Sequence, residues 1–328
     1  MASDWEELKS NYNKKGLVLF LGAGVSIQSG VPTWSDLICR MMESLPQTGG
    51  KDAFNTLRQA GFSLPTITEF IKRKIDAGLF ISALRECLYR EFKFRDVERI
   101  DDGTAGRFVE DTDKCNPTLV AVYNLAVLDR PDGLTANPKV HAIVNFNLDA
   151  LLEQYDKARH LVKGLPGKRR CIHTIESPSH DRIFGRVNIY HPHGYLRFDR
   201  FKENPTKEAI FTVLSEHEFF DFYNRSTEIF TYTMLFLLRE YHCLFVGMSM
   251  TDDNIRRLLF YSNIERQRSR EREKRSEIEP LRHSAIMRRP AEGVHLDLLE
   301  TTLKAIGVQP MWIDSFSQIP EALSQLSV

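Results

Sequence analysis

The chain has 328 residues, 42% of them hydrophobic and 10% aromatic, which is enough to bury a large core as one domain or as a core carrying an inserted lobe. Lysine plus arginine and aspartate plus glutamate each total 44, so a net charge of zero supplies no overall attraction to nucleic acid or to a membrane surface. Five cysteines, far apart and never spaced CxxC, argue against a zinc ribbon and for reduced thiols in the cytoplasm; neither an export signal nor an apolar run of roughly 18 residues, the length of a membrane span, is visible.

Residues 3–13 read as an amphipathic helix, with Ser3 as N-cap and Trp5, Leu8 and Tyr12 on one face. The apolar run Leu17, Val18, Leu19, Phe20 and Leu21 then predicts a strand buried on both faces of a parallel sheet. Gly22, Ala23 and Gly24 follow at once. Two glycines there permit a tight turn and a close approach to phosphate, and a helix after them would aim its unpaired N–H groups at that anion. The next glycine is Gly30, so the dinucleotide fingerprint GxGxxG is not met. A helix over 34–45 leads into residues 46–134, which read as a helical insertion with helices at 51–60, 66–77, 80–92 and 117–128 and no strong strand. Residues 135–138 look like a linker back to the core.

The second core strand, 141–146, runs into Asn145, Phe146, Asn147, Leu148 and Asp149, and polar residues at the carboxyl end of a strand in an open α/β sheet face the ligand crevice. A helix over 150–159 follows. Residues 160–186 read as a loop whose basic tip, Lys168, Arg169 and Arg170, is a solvated face rather than a phosphate contact. The third strand, 187–190, runs into His191, Pro192, His193 and Gly194. A strand at 209–213 precedes a long aromatic helix through Phe219, Tyr223, Phe230 and Phe236, whose rings read as core or lid packing. The fourth core strand, 242–246, enters a second glycine turn, Gly247, Met248 and Ser249, and Asp252 or Asp253 caps a heavily charged helix over 255–278. Strands at 284–287 and 309–313 enclose a helix at 294–306. The alternation predicts an α/β fold with a Rossmann-like, doubly wound and mostly parallel sheet.

Four segments, GAGVSIQSGVPTW, NFNLD, HPHG and VGMSMTD, resemble in order and strand-end context those of the sirtuin superfamily, and the C-terminal GVQPMWIDSFSQIPEAL resembles the last strand and helix of sirtuin-like proteins of prokaryotic antiviral defence. The resemblance implies one sirtuin-like catalytic domain over 1–328, with 46–134 inserted within it. It implies that Gly22, Ala23, Gly24, Ser26 and Pro32 bind the pyrophosphate and ribose of NAD+. Asn147 would position water and the nicotinamide ribose, and Asp149 would bind the carboxamide. The catalytic histidine of that family precedes a glycine, which selects His193 over His191. Gly247 and Ser249 would contact the adenosine half, with Met248 standing where the family usually has threonine.

The chemistry agrees with those roles. Cleaving the bond from nicotinamide to ribose builds oxocarbenium character at C1′, and the leaving group is already neutral. The site must therefore orient the ribose, offer a proton acceptor and exclude solvent, and it needs no strong acid. A neutral histidine and an uncharged asparagine suit those parts. Taken singly, His193 would be a core histidine and Asn147 a helix cap; the joint pattern favours catalysis. Protein-deacylating sirtuins carry two CxxC pairs where this chain has its helical insertion, so a peptide channel is not expected and water is the expected acceptor. The expectation is an NAD+ glycohydrolase (NADase) that yields nicotinamide and ADP-ribose, with NAD+ as substrate and no metal. By resemblance it would be the NAD-depleting effector of an anti-phage abortive infection system. It would be cytoplasmic and homo-oligomeric, gated by an ATPase or sensor subunit, with no membrane or direct nucleic-acid contact. The alternatives are a deacylase or ADP-ribosyltransferase using the same site, or a non-catalytic NAD-binding subunit of a larger complex.

Overall fold

A computed structural model describes residues 2–92, 94, 100–127, 139–164, 170–176, 180–197, 212–224, 228–273 and 282–327. Seven strands are described: β1 (Leu17–Leu21), β2 (Val140–Asn145), β3 (Ile172–Ile175), β4 (Val187–Tyr190), β5 (Cys243–Val246), β6 (His283–Arg288) and β7 (Val308–Ile313). They form one sheet in the order β3-β4-β2-β1-β5-β6-β7, and every pairing is parallel. The chain winds one way from β1 through β2 and then returns to add β5 on the other side. That reversal makes a switch point between β1 and β5, and open α/β sheets bind ligands beyond the carboxyl ends of the strands there.

Helix α1 (Ala2–Lys15) precedes β1. Between β1 and β2 run α2 (Trp34–Ser44), α3 (Gly50–Gln59), α4 (Leu64–Lys74), α5 (Ala77–Tyr89), α6 (Ala105–Cys115) and α7 (Pro117–Val127). Helix α8 (Leu151–Val162) follows β2, and α9 (Glu216–Asn224) and α10 (Ile229–Glu240) precede β5. Helices α11 (Asp253–Glu273), α12 (Val294–Ala305) and α13 (Ile319–Leu326) follow β5, β6 and β7 in turn.

The period of two in β1 sorts its side chains between two cores. Leu17, Leu19 and Leu21 join Ile143 and the helical residues Ile67, Ile71, Leu84, Phe108 and Val122. The helices between β1 and β2 thus share a core with one face of the sheet. Val18 and Phe20 enter the second core with Val144, Phe219, Phe230, Phe245 and Leu258. Full burial stabilises by roughly 1.5–3 kcal/mol for each large apolar side chain, which is why an unbroken apolar run becomes a central strand.

The structure departs from the sequence reading at several elements. No α-helix follows the first glycine turn: two 3₁₀ turns, Ala23–Val25 and Ile27–Ser29, stand there, and α2 starts only at Trp34, capped by Thr33 Oγ1 accepting from the Asp36 N–H. Gly30 ends the second turn at φ +90°, where a Cβ would lie 2.1 Å from the Glu91 carbonyl oxygen, so only glycine fits. The segment read as a basic loop contains the edge strand β3, and helix α6 lies where no helix was expected. The aromatic stretch is not one helix, because Glu228 is extended and caps α10 by accepting from the Phe230 N–H. Helix α1 already includes Ser3 in its first turn. Of the expected strand at 209–213, Thr212 makes a single antiparallel bridge to Gly194 and residues 209–211 lie outside the described residues. The linker at 135–138, Lys168 and Arg169 also lie outside them, as do residues 274–278 of the charged helix.

Candidate functional site

The register of the sheet assembles the site. Leu21 pairs with Asn145 and with Val246, while Val144 pairs with Tyr190. The residues that leave these strands, Gly22, Phe146, His191 and Gly247, therefore emerge along one edge. Gly22, Phe146 and Gly247 border a cavity of about 760 Å³ whose lining also includes Ala23, Gly24, Pro32, Asn147, Asp149, His193 and Ser249. Ser26 is buried one layer behind.

The two glycine turns are locked together. The Gly22 N–H donates to the Val246 carbonyl and the Gly24 N–H to the Gly247 carbonyl, each at 3.0 Å. A Cβ on Gly24 would lie 2.7 Å from the Gly247 Cα, and one on Gly247, whose φ is +70°, would lie 2.7 Å from the Val25 nitrogen. Both glycines are thus required by the close approach of one turn to the other, whatever ligand is bound. Met248 lies across Gly22, where a Cβ would meet its Cγ at 2.6 Å; an apolar side chain there covers the turn.

The turn after β2 supplies the polar atoms. Asn147 Nδ2 donates to the Gly22 carbonyl at 2.9 Å and to Ser26 Oγ at 3.3 Å. A carbonyl can only accept, so the amide orientation is fixed, and Oδ1 is the acceptor the side chain has left for a ligand. Asn147 is not a helix cap; α8 starts after Ala150, and Asp149 Oδ1 accepts from the Leu151 N–H at 3.2 Å. Asp149 Oδ2 is buried with no hydrogen-bond partner. Burial pushes the Asp149 carboxyl up from 3.8 to about 6, against the lowering effect of the Ser26 hydroxyl. An orphaned carboxylate oxygen beside the cavity fits a ligand that brings an N–H donor, as the carboxamide of nicotinamide does.

His193 sits at the opposite side of this turn, edge-on to Phe146 at 5.0 Å and to Phe219 at 5.3 Å. Its Nε2 is 3.1 Å from the Tyr223 hydroxyl. Burial among these rings lowers its pKa from 6.5 to about 4, opposed by the charge of Asp252, so the imidazole is neutral at physiological pH. Trp34 stacks on Phe219 at 5.6 Å and Phe219 on Tyr223 at 5.9 Å, which makes an aromatic wall. Helix α9 carries Phe219 and Tyr223 of that wall and α2 carries Trp34, and α4 holds α9 through the Lys72–Glu218 ion pair and the Thr66–Glu216 hydrogen bond.

The second histidine of HPHG has another place. His191 is fully buried, with Nε2 at 2.5 Å from Glu153 Oε1 and Nδ1 at 3.3 Å from the Asn147 carbonyl. Sequence reading did not link Tyr223 or Glu153 to the site: Tyr223 reads as one more ring of an aromatic helix, and nothing in the sequence singles out Glu153. At the far side, Asp252 Oδ1 accepts from the Asn254 and Ile255 N–H groups and so caps α11, and Ser249 Oγ is 2.7 Å from Thr251 Oγ1. Among the described residues no group of three or more His, Cys, Asp and Glu side chains is positioned to hold a metal ion, and no helix is long and apolar enough to cross a membrane.

An all-parallel α/β sheet with a cavity at its switch point, walled by glycine turns, defines a Rossmann-like nucleotide-binding class. A family model described as a SIR2-like domain matches residues 141–311, from β2 into β7, and the chain belongs to that sirtuin-like family, whose domains use NAD+. The first glycine turn precedes the matched stretch, but β1 lies between β2 and β5 and so delivers Gly22 and Gly24 to the matched site. No curated protein matches the chain.

Proposed function

We propose that the protein is an NAD+ glycohydrolase, using NAD+ as substrate and releasing nicotinamide and ADP-ribose. The observation that carries this reading is what Asn147, Asp149 and His193 present to one cavity: an amide oxygen, a carboxylate and a neutral imidazole, all acceptors for hydrogen bonds or protons. A site of that kind suits a reaction whose transition state is a sugar cation with a neutral leaving group. Asp149 Oδ2 would take the carboxamide N–H, Asn147 Oδ1 would orient the ribose or the attacking water, and neutral His193 would accept the proton. Gly22, Ala23, Gly24 and Pro32 would border the pyrophosphate and ribose, with Ser26 supporting them from behind, and Gly247 and Ser249 would border the adenosine half. The aromatic wall of Trp34, Phe219 and Tyr223 supports water over a peptide as acceptor, since it stands beside His193 and shelters it from bulk solvent. As the biological setting we propose NAD+ depletion in anti-phage abortive infection, by a homo-oligomer held off in the resting cytoplasm by an ATPase or sensor partner.

The test is incubation of the purified protein with NAD+, alone and with candidate acceptors and partners, followed by chromatography. Nicotinamide and ADP-ribose in equal amounts are the expected products. A product that forms only with an acceptor would replace hydrolysis with deacylation or ADP-ribosyl transfer, and tight NAD+ binding without cleavage under any condition would leave a non-catalytic subunit.

A further inference from the structure

We infer that His191 and Glu153 act as a buried positioning pair that holds the Asn147 turn in its reactive geometry; this rests on the NAD+-cleaving reading of the site. Neither side chain borders the cavity. His191 leaves the end of β4, Glu153 lies in the first turn of α8, and the two meet behind the turn that joins β2 to α8. The Asn147 carbonyl can only accept, so His191 Nδ1 carries the hydrogen that faces it, and Nε2 is the nitrogen that shares a proton with Glu153. A proton shared between Nε2 and the carboxyl leaves Nδ1–H to donate to the turn, so the pair holds the ring and the ring holds the turn. The same segment grips the turn again three residues past His193: the Leu196 N–H donates to the Leu148 carbonyl at 2.6 Å, and the Tyr89 hydroxyl joins the Ala150 N–H to the Leu196 carbonyl.

Stability alone is a poor reason for this pair. At 0% and 2% exposure both groups are fully desolvated, which cancels much of their attraction, and apolar side chains of similar volume fasten a helix to a sheet at least as well. What apolar residues cannot do is aim a donor at the Asn147 carbonyl. With that carbonyl held, the Asn147 amide reaches both Gly22 and Ser26, and Oδ1 keeps one direction. A displacement of about 1 Å in such a group costs on the order of 100-fold in rate.

Three variants separate positioning from packing. The amide nitrogen of His191→Asn stands close to where Nδ1 does, keeping the donor to Asn147; that of His191→Gln reaches toward Nε2, keeping Glu153 company but losing the donor. The double variant His191→Leu/Glu153→Met removes the polar groups and keeps the volume. In the double variant we expect a melting temperature at or above that of the wild type, with kcat for nicotinamide release down about 100-fold and KM for NAD+ within about threefold. His191→Gln should lose kcat similarly and His191→Asn should recover about tenfold of it. The side-chain amide signals of Asn147 in ¹H–¹⁵N spectra give a readout independent of turnover: they should shift in His191→Gln and in the double variant and stay near their wild-type positions in His191→Asn. Unshifted Asn147 amide signals in the folded double variant or in His191→Gln would overturn the inference, as would equal kcat losses in His191→Asn and His191→Gln. If the wild type releases no nicotinamide at all, the NAD+-cleaving reading fails, and the amide signals still decide whether the pair holds the turn.

Discussion

Two regions around the cavity are built on different principles. Along the strand ends, the floor is made of directed contacts between single atoms: two glycine turns locked through backbone hydrogen bonds, Asn147 tied to Gly22 and Ser26, and Asp149 with one oxygen still unpartnered. Beside it, behind His193, the wall of Trp34, Phe219 and Tyr223, of which Trp34 borders the cavity, is made of stacked rings, where many similar shapes would fill the same space. Only Tyr223 joins the two kinds, through its hydroxyl against His193 Nε2. The contrast implies that the floor sets the chemistry and the wall sets the shelter, so a substitution of given size should matter far more on the floor.

The largest effect is expected from Asn147→Ala and His193→Ala, each lowering nicotinamide release by about 10²–10⁴-fold with a cooperative melting transition retained. Turnover unchanged in either variant would take that residue out of the mechanism. Because burial holds His193 near 4, its imidazole stays neutral as pH falls from 8 to 5, and the expected rate profile shows no step near 6.5 from this group; protonation sets in only on approach to pH 4. A step near 6.5 that disappears in His193→Ala would contradict the buried environment.

Next in size is Gly247→Ala. The new methyl group would meet the Val25 nitrogen at 2.7 Å in a backbone at φ +70°, and overpacking plus left-handed strain should destabilise by about 2–4 kcal/mol, read by denaturant unfolding. Asp149→Asn acts in the opposite direction. The folded carboxyl titrates near 6 and the unfolded one near its ordinary value of 3.8, so between about pH 4 and 6 the unfolded chain ionises first and stability falls as pH rises. Above that window the wild type stays lowered. The variant, which cannot ionise, should be more stable at pH 7.5 by up to about 3 kcal/mol, with the difference gone at pH 4.

The floor was also the more legible half. Continuous apolar runs mark β1, β2 and β5 as central strands, and glycine, asparagine and histidine residues just beyond strand ends line the cavity. The glycines were legible as a turn but not in their cause: Gly24 and Gly247 are required by one another, and no spacing rule reports a contact between turns so distant in sequence. The same limit hid the His191–Glu153 and His193–Tyr223 contacts, which exist only once parallel strands are in register. Strand β3 escapes a reading of the sequence because a strand that pairs with β4 alone among the described residues, reading Ile-His-Thr-Ile, needs no continuous apolar run. Helix α6 is different. Its buried Ala105, Phe108, Val109 and Thr112 follow the helical spacing, so the signal was present and was masked by the charges between them.

The smallest expected effect tests the wall itself. Phe219 packs between Trp34 and Tyr223 and faces His193 edge-on, so Phe219→Leu removes three ring contacts while leaving an apolar side chain that can settle into the same space. A hydrophobic substitution of this kind should cost about 1 kcal/mol in stability and change nicotinamide release by no more than about threefold, because no directed hydrogen bond to His193 or Asn147 is lost. Tyr223→Phe makes the sharper companion, since it keeps the ring and deletes only the hydroxyl at His193 Nε2. If Phe219→Leu lowered turnover as far as Asn147→Ala, the division between a chemical floor and a sheltering wall would fail. A loss confined to Tyr223→Phe would instead draw Tyr223 across to the floor, as the group that orients the His193 ring.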